Sequence, residues 1–459
     1  MAQPHSAFAR IQGVDRGLEG HNFTTMRRSP AQQRRMTVVD LFAGCGGLSL
    51  GLELAGFTPL LVNELSPDAM ATYVANRPYL PEKYRVHDIK ELVAADGDVL
   101  ERLLRDMRTD YGVNVNAGDV DLVVGGPPCQ GYSAIGHRRS YSVDRKAMPS
   151  NHLFHDMARV IRSVRPRAFL FENVRNLLSA AWSPDGAKGE IWSDVLETLR
   201  SIDGYSVEFA LVHASDYGVP QNRPRVLTVG IRNDIRLPSS GTVARGFLPE
   251  PTGAPPDIAD VLGDLVDADY KPGGTTVAYP GAATTAIQRW FRARESGTVS
   301  RRGDAITDQD YSNHSPSIIE KFSYMLANGG VIPEHLQTKK FAQRVLPARW
   351  DERGPTITVT SLPDDYVHFS QPRSLTVREW ARLQTFPDHY AFCGKRTTGG
   401  IRRAGNPRAG IFDRELPKYT QIGNAVPVLL ARAVGMHFAS ILGTVGVKDA
   451  PMQVAAKPA

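Results

Sequence analysis

"MTVVDLFAGCGGLSLGLELAGF", residues 36–57, decides the fold. An apolar, β-branched run breaks at Gly44-Cys45-Gly46-Gly47, and leucines at helical spacing follow as far as Gly56. The pattern predicts a strand, a glycine turn and a helix. Glycine in such a turn lets a ligand approach the backbone and the helix N-terminus.

The same alternation continues outward. "TPLLVNE" (58–64) reads as a strand, and "SPDAMATYVANR" (66–77) as a helix with Ser66 as N-cap and Pro67 in the first turn. "YRVHDI" (84–89) predicts a third strand, residues 97–109 a helix, and "DVDLVVGG" (119–126) a fourth strand. After a polar loop at 134–150 come the helix "HLFHDMARVIRSV", the strand "RPRAFLFENV" and the helix "IWSDVLETLRSI". The strands "YSVEFALVHAS" and "RVLTVGIR" close the series without a helix between them, which predicts an antiparallel edge hairpin. The fold class is therefore α/β, a doubly wound and mostly parallel sheet.

From residue 233 proline, glycine, serine and threonine accumulate and periodicity weakens, so a second, smaller and irregular domain is expected over 233–417. The resulting organisation is a flexible tail at 1–35, a catalytic and cofactor-binding domain at 36–232, the irregular domain, a helix at 418–441 returning to the first sheet, and a flexible tail at 442–459. Arginines cluster in "IQRWFRARESGTVSRRGD" (287–304), and a Gly/Arg-rich insert occupies 394–410.

The bulk numbers bound the function. The 459 residues carry 54 Lys+Arg against 48 Asp+Glu, a net charge of +6 compatible with a polyanionic partner. The three cysteines, Cys45, Cys129 and Cys393, have no metal-ligand or disulfide spacing, so neither a zinc site nor a disulfide framework is expected, and a reducing, cytoplasmic setting is. No run of 18 apolar residues predicts a membrane helix.

Two constellations carry chemistry. Gly44, then Glu64 twenty residues later at the end of the second strand, then Asp88 after the third, form a series suited to a nucleoside: backbone approach, a carboxylate for the ribose diol, an acceptor for an adenine amino group. A nicotinamide-dinucleotide fingerprint requires glycine where Ser49 stands, so that reading fails. The second constellation is "GGPPCQGYS" (125–133), which holds Cys129 on a proline-stiffened turn, with Glu172 in "FENV" and Arg223 and Arg225 in "QNRPR", each at a strand end. Together they supply a thiol nucleophile, a carboxyl proton partner and a hydrogen-bond donor. Methylation of cytosine carbon 5 needs this set. A thiolate adds to carbon 6, an acid serves N3, a donor holds O2, and carbon 5 becomes nucleophilic.

The ordered motifs DLFAGCGG, GGPPCQGYS, ENV, QNRPR, RSLTVREWARLQTFPD and QIGNAVP resemble the DNA (cytosine-5) methyltransferase family over about residues 36–441. The resemblance implies S-adenosyl-L-methionine as methyl donor, held by Phe42, Gly44, Gly46, Glu64, Asp88 and Asn424, with no metal. It implies Cys129 as nucleophile, Glu172 as the N3 partner and Arg225, with Arg223 behind it, positioning the base. It makes 134–150, with His137, Arg138, Arg139, Arg145 and Lys146, the loop that closes over a flipped base. It makes 233–417 the target-recognition domain, with Arg289, Arg292, Arg294, Arg301 and Arg302 as candidate phosphate contacts. The implied partner is double-stranded DNA, with a cognate restriction endonuclease acting on the same site, and a monomer is expected. Two alternatives stand beside it. An RNA (cytosine-5) methyltransferase of the same fold is disfavoured because "RNLLSAAW" rather than Cys-Phe-Thr follows ENV. A catalytically silent DNA-binding regulator is disfavoured because Cys129, Glu172 and the arginines are all present.

Overall fold

The computed structural model describes residues 36–94, 98–111, 119–128, 149–183, 185–237, 245–294, 296–337, 343–351, 354–357, 365–397 and 415–443. Its centre is one seven-stranded sheet built from β1 (Met36–Leu41), β2 (Phe57–Asn63), β3 (Arg85–Val86), β4 (Leu122–Gly125), β5 (Ala168–Val174), β6 (Tyr205–His213) and β7 (Pro224–Arg232). The order is β3-β2-β1-β4-β5-β7-β6. The first five strands run parallel, and β7 inserts antiparallel between β5 and β6. The hairpin read from the sequence therefore exists, with β6 at the edge and β7 inside. The β1–β2 register slips between Val38 and Val39, opposite Pro59, whose missing N–H breaks the ladder there.

Alternating side chains of the strands feed two cores. Val39, Leu41, Val123, Phe169 and Phe171 face α2 (Pro67–Ala75), α3 (Asp98–Tyr111), α4 (Leu153–Val164) and α5 (Glu190–Arg200). Val38, Leu122, Val124 and Leu170 face α1 (Gly47–Leu54) and the C-terminal helix. Both faces are covered, as a parallel sheet requires.

The chain after β7 forms α6 (Ile258–Leu262), α7 (Ala286–Arg292), α8 (Pro316–Ala327), a short parallel pair β8 (Arg344–Val345) and β9 (Tyr366–Val367), and α9 (Val377–Leu383). Ile258, Phe291, Leu346, Trp380 and Phe386 share a third core with Cys45 and Leu50, so this segment is packed onto the outer flank of the first glycine turn and α1. The helix expected at 418–441 is two helices, α10 (Lys418–Asn424) and α11 (Val428–Gly443), with a 41° bend. Pro427 is the cause, since proline donates no backbone hydrogen bond and the residue before it avoids the helical region. β3 is also shorter than read: only Arg85 and Val86 pair, and a 3-10 turn begins at Ile89. Among the described residues no single helix is long and apolar enough to cross a membrane.

Candidate active site

The sheet brings the residues of both constellations to one edge, the C-terminal ends of β1, β2, β4 and β5. β7 starts at that same edge because it is antiparallel, with Arg225 paired to Val174 and Leu227 to Glu172. Arg225 is thus the diagonal, same-face neighbour of Glu172. Its Nε lies 2.6 Å from Oε1 of Glu172, an ion pair that lacks a well-aligned hydrogen bond, since that Nε has no hydrogen-bond partner. Both side chains are nearly buried, 11% and 13% exposed, which leaves the pair a small opening to solvent.

The end of β4 is held against this pair. Asn173 donates from Nδ2 to the Pro127 carbonyl at 3.1 Å, and a Cβ added at Gly126 would stand 2.8 Å from Oε2 of Glu172. After β4 the described chain runs to Pro128; Cys129 and the cationic residues of the 134–150 loop named above lie outside the described residues.

Arg223 sits behind Arg225 and is 3% exposed. Its guanidinium donates to the carbonyls of Gly423 (2.8 Å), Asn424 (3.3 Å), Ala425 (2.9 Å) and Ile357 (3.2 Å). It therefore caps the C-terminus of α10, where carbonyls lack helical partners and the helix dipole favours a cation. Burial, and then the charge of Arg225, pull its pKa well below the ordinary arginine range, while Glu172 opposes them. Arg223 thereby joins the arginine motif to the QIGNAVP motif.

At the β1–β2 end of the same sheet edge, Phe42, Gly44 and Gly46 all have positive φ (55°, 56° and 86°). Gly46 has no room for a side chain: a Cβ there would lie 2.7 Å from Arg77 and 2.8 Å from the Tyr390 hydroxyl. Gly44 is open, with nothing within 4 Å of a Cβ position, and its N–H donates to Oε2 of Glu64 at 2.8 Å. Oε1 of Glu64 accepts from the Ser66 N–H at 2.7 Å. Burial pushes the Glu64 carboxyl up, and these two amides pull it down. Asp88 is exposed and caps its own 3-10 turn, accepting from the Lys90 N–H. The side chain of Asn424 is exposed at the α10–α11 break, and that break packs on α1, with the Val426 carbonyl 2.4 Å from a Cβ position at Gly47.

Two features escaped the reading of residues, and a third corrects it. Leu65, beside Glu64, is 71% exposed, an apolar surface next to the Glu64 carboxylate. Gln221 of QNRPR donates to the Leu383 carbonyl and to the Gln384 side chain, which in turn donates to the carbonyls of Ile422 and Ala425. Three motifs far apart in sequence are thereby tied in one buried network. Arg292 is a correction: it is 1% exposed and paired with Asp264, because its place on the inner face of α7 turns it into the core, so it makes no phosphate contact.

A doubly wound sheet that gathers the glycine turn and Glu64 at β1–β2 and Glu172 and Arg225 at β5 and β7, beside the strand that leads into the thiol motif, defines a group-transfer enzyme of the α/β class. The chain belongs to the C-5 cytosine-specific DNA methylase family, whose model matches residues 36–439. It is 30% identical over 418 residues to the Type II methyltransferase M.DdeI of Desulfomicrobium norvegicum, covering 87% of each chain. It is 31% identical to the Type II methyltransferase M1.HphI of Haemophilus parahaemolyticus, covering 87% of this chain and 85% of that one. The fold matches the crystal structure of a DNA modification methyltransferase encoded within an Escherichia coli prophage, with a TM-score of 0.60, 23% identity, and coverage of 89% of this chain and 99% of that one.

Proposed function

We propose that the protein methylates carbon 5 of a cytosine flipped out of a specific duplex DNA sequence, with S-adenosyl-L-methionine as donor, as the modification partner of a cytoplasmic restriction endonuclease. The single observation that carries the reading is the Glu172–Arg225 pair, set across β5–β7 and against the end of the strand that leads to Cys129.

The glycine turn fits the donor on this chain's own evidence. Gly44 is open, Glu64 is desolvated and oriented by two amides, and Leu65 offers an apolar face beside it. Phe42, Gly44, Gly46, Glu64, Leu65, Asp88 and Asn424 are the residues that hold it in this reading. When bound, the donor supplies an electrophilic methyl group. Cys129 attacks carbon 6 of the cytosine as a thiolate, and Glu172 shares a proton with N3, so the ring takes up electrons without building full charge. Arg225 orients Glu172 and offers donors to O2, while Arg223 fixes the α10 terminus behind it. Carbon 5 becomes enamine-like and nucleophilic, and would take the methyl group as the S–CH3 bond of the donor breaks and a neutral thioether leaves. Loss of its proton after methylation lets Cys129 leave, and 5-methylcytosine returns to the stack. Residues 233–417 read the target sequence in this proposal.

Duplex DNA carrying 5-fluorocytosine at the mapped target site tests the mechanism, because fluorine cannot leave as a cation. A covalent protein–DNA adduct is expected on a denaturing gel only with the donor present, and none from Cys129→Ser. An adduct from Cys129→Ser, or methylation of transfer RNA in place of duplex DNA, overturns the proposal.

A further inference from the structure

We propose that Arg77 and Tyr390 are positioning residues for S-adenosyl-L-methionine: together they grip two carbonyls of the glycine turn and hold it in the shape that receives the donor. The inference rests on the donor-binding reading above. It begins from the backbone. Three of the five residues from Phe42 to Gly46 have φ in the left-handed region, and Phe42 among them is not glycine. Such a backbone persists only where its surroundings hold it. From the β2 side, Asn63 and Glu64 hold the amides: Phe42 N–H donates to Asn63 Oδ1 at 3.4 Å, Ala43 N–H to the Asn63 carbonyl at 3.0 Å, and Gly44 N–H to Glu64. The carbonyls of Cys45 and Gly46 are held from elsewhere.

The Tyr390 hydroxyl donates to the Cys45 carbonyl at 2.6 Å, and Arg77 donates from Nη2 to the Gly46 carbonyl at 3.3 Å and from Nη1 to the Tyr390 hydroxyl at 3.1 Å. Arg77 is fully buried, and Glu53 of α1 meets its charge, accepting from Nε at 3.0 Å and Nη2 at 2.6 Å. One carboxylate occupies one edge of a guanidinium, and the N–H groups left over are aimed at the turn and at the hydroxyl that holds it. Both grips are anchored. Asn76, at the end of α2, donates from Nδ2 to the Ala391 carbonyl at 2.8 Å and accepts from the Ala391 N–H at 2.9 Å, which sets Arg77 beside Tyr390. The Tyr73 ring lies 4.0 Å from the Arg77 guanidinium, and Phe386 and Phe392 flank the Tyr390 ring. The segment after β7 thus reaches across to the donor-side turn.

The Arg77–Glu53 pair by itself would only join α2 to α1. The bonds to the turn do more, because a short path of rigid units leads from them to the carboxylate on the donor side. The Cys45 carbonyl shares its peptide plane with the Gly46 N–H, which donates to the Ala43 carbonyl at 3.0 Å. The Ala43 carbonyl shares its plane with the Gly44 N–H, which donates to Glu64 Oε2 at 2.8 Å. Two peptide planes therefore connect the Tyr390 hydroxyl to Glu64. With the outer carbonyls held, the Gly44 amide and Glu64 stand ready before the donor arrives, and binding does not have to order them. Without that hold the planes can turn, and the donor has to restore them at a cost in affinity. The groups that act on the cytosine, at β5 and β7, lie outside this path, so the cost falls on donor binding and not on turnover.

The test is calorimetric titration of the full chain with S-adenosyl-L-methionine, beside turnover on a target-bearing duplex at saturating donor. Tyr390→Phe keeps the ring and removes the hydroxyl. Its dissociation constant for the donor is expected to rise about tenfold, the effect of one net hydrogen bond, with turnover at saturating donor within about twofold of wild type. Arg77→Lys keeps a cation for Glu53 and gives up the fork, and raises the constant by the same order. Tyr205→Phe is the matched control: its hydroxyl also donates to a backbone carbonyl, that of Pro166, at the N-terminal ends of β5 and β6 and away from the turn. It leaves the donor constant unchanged while costing comparable stability. An unmoved constant in Tyr390→Phe, a loss of turnover at saturating donor without a change in the constant, or an equal rise in Tyr205→Phe, the mark of general loosening, overturns the inference. If Tyr390→Phe does not fold, Arg77→Lys decides on the same readings. A wild type that binds no donor overturns the functional reading and this inference together, whereas normal wild-type binding beside an unmoved Tyr390→Phe overturns this inference alone.

Discussion

Arg225 Nε stands 2.6 Å from Glu172 Oε1 across the antiparallel β5–β7 ladder, with both side chains almost closed to solvent. Ladder register rather than sequence proximity makes this contact, since 52 residues separate the two in the chain. The pair holds one carboxylate oxygen and leaves the other, Oε2, beside Gly126 and the end of β4.

Glu172→Gln keeps the shape of the side chain and removes the acid. The turnover number should fall by about 10²–10⁴, the usual worth of a positioned proton partner, with donor affinity within about twofold of wild type. Arg225→Met should lower turnover as well, by releasing the carboxylate. Single-turnover methylation together with calorimetric donor titration separates the two quantities, and loss of donor binding in Glu172→Gln would contradict the assignment.

Gly126→Ala tests the same geometry from the opposite strand. Its Cβ would lie 2.8 Å from Oε2 of Glu172 and 3.4 Å from the Glu172 carbonyl, so the carboxylate must swing away. Turnover should drop at least tenfold while thermal stability changes little, because the side chain that yields is a flexible one. Asn173→Ala, which frees the Pro127 carbonyl, should cost about 1 kcal/mol of stability in addition to turnover. A fully active Gly126→Ala enzyme would show that Oε2 has no fixed place in the reaction.

Strand and helix order was legible in the residues because buried strands and amphipathic helices write their periods into the chain. Glu64 was legible too, since the spacing from Gly44 is set by one strand–helix–strand unit. The place of β7 inside the sheet was not, because a hairpin has the same local signature whichever arm is at the edge. Nor was the difference between Arg289 and Arg292, whose immediate sequence is alike. Only Asp264, 28 residues from Arg292 and brought near by packing, turns one of them into core. The roles of Arg223 and Gln221 were hidden for the same reason: their partners are mainly backbone carbonyls at and near the ends of α9 and α10, and carbonyls leave no trace in a sequence.

Arg223→Met should destabilise the fold more than it harms the chemistry directly. It strips partners from the carbonyls of Gly423, Asn424 and Ala425 at the α10 terminus and from Ile357. Charged donors to buried carbonyls contribute about 1.5–3 kcal/mol each way of counting, so a loss of about 3 kcal/mol or more is expected. Arg223→Lys should recover only part of it, because a single ammonium cannot serve three carbonyls in the guanidinium plane. Denaturant unfolding measures the loss, and a midpoint equal to wild type would show that water replaces the guanidinium.

Asp40 provides the pH test. It is 1% exposed, Oδ2 accepts from the Ser49 hydroxyl at 2.5 Å, and Oδ1 has no partner. Burial pushes its carboxyl up to about 7 from 3.8, more than the Ser49 hydrogen bond and the Arg77 charge pull it down. The folded protein therefore holds this proton more tightly than the unfolded chain does. The sign follows: a favourable contribution is fully present below about pH 4, fades as pH rises through the window from about 4 to 7, and is gone above it. Asp40→Asn keeps an oxygen for Ser49, places an uncharged amide at the orphan position and has no proton to lose. The stability of Asp40→Asn relative to wild type should accordingly rise from pH 4 to pH 7 and level off beyond. Urea midpoints for both proteins at pH 4.5, 5.5, 6.5 and 8 decide it. Parallel curves would show that Asp40 ionises at its ordinary value in the fold and that another group carries the pH dependence.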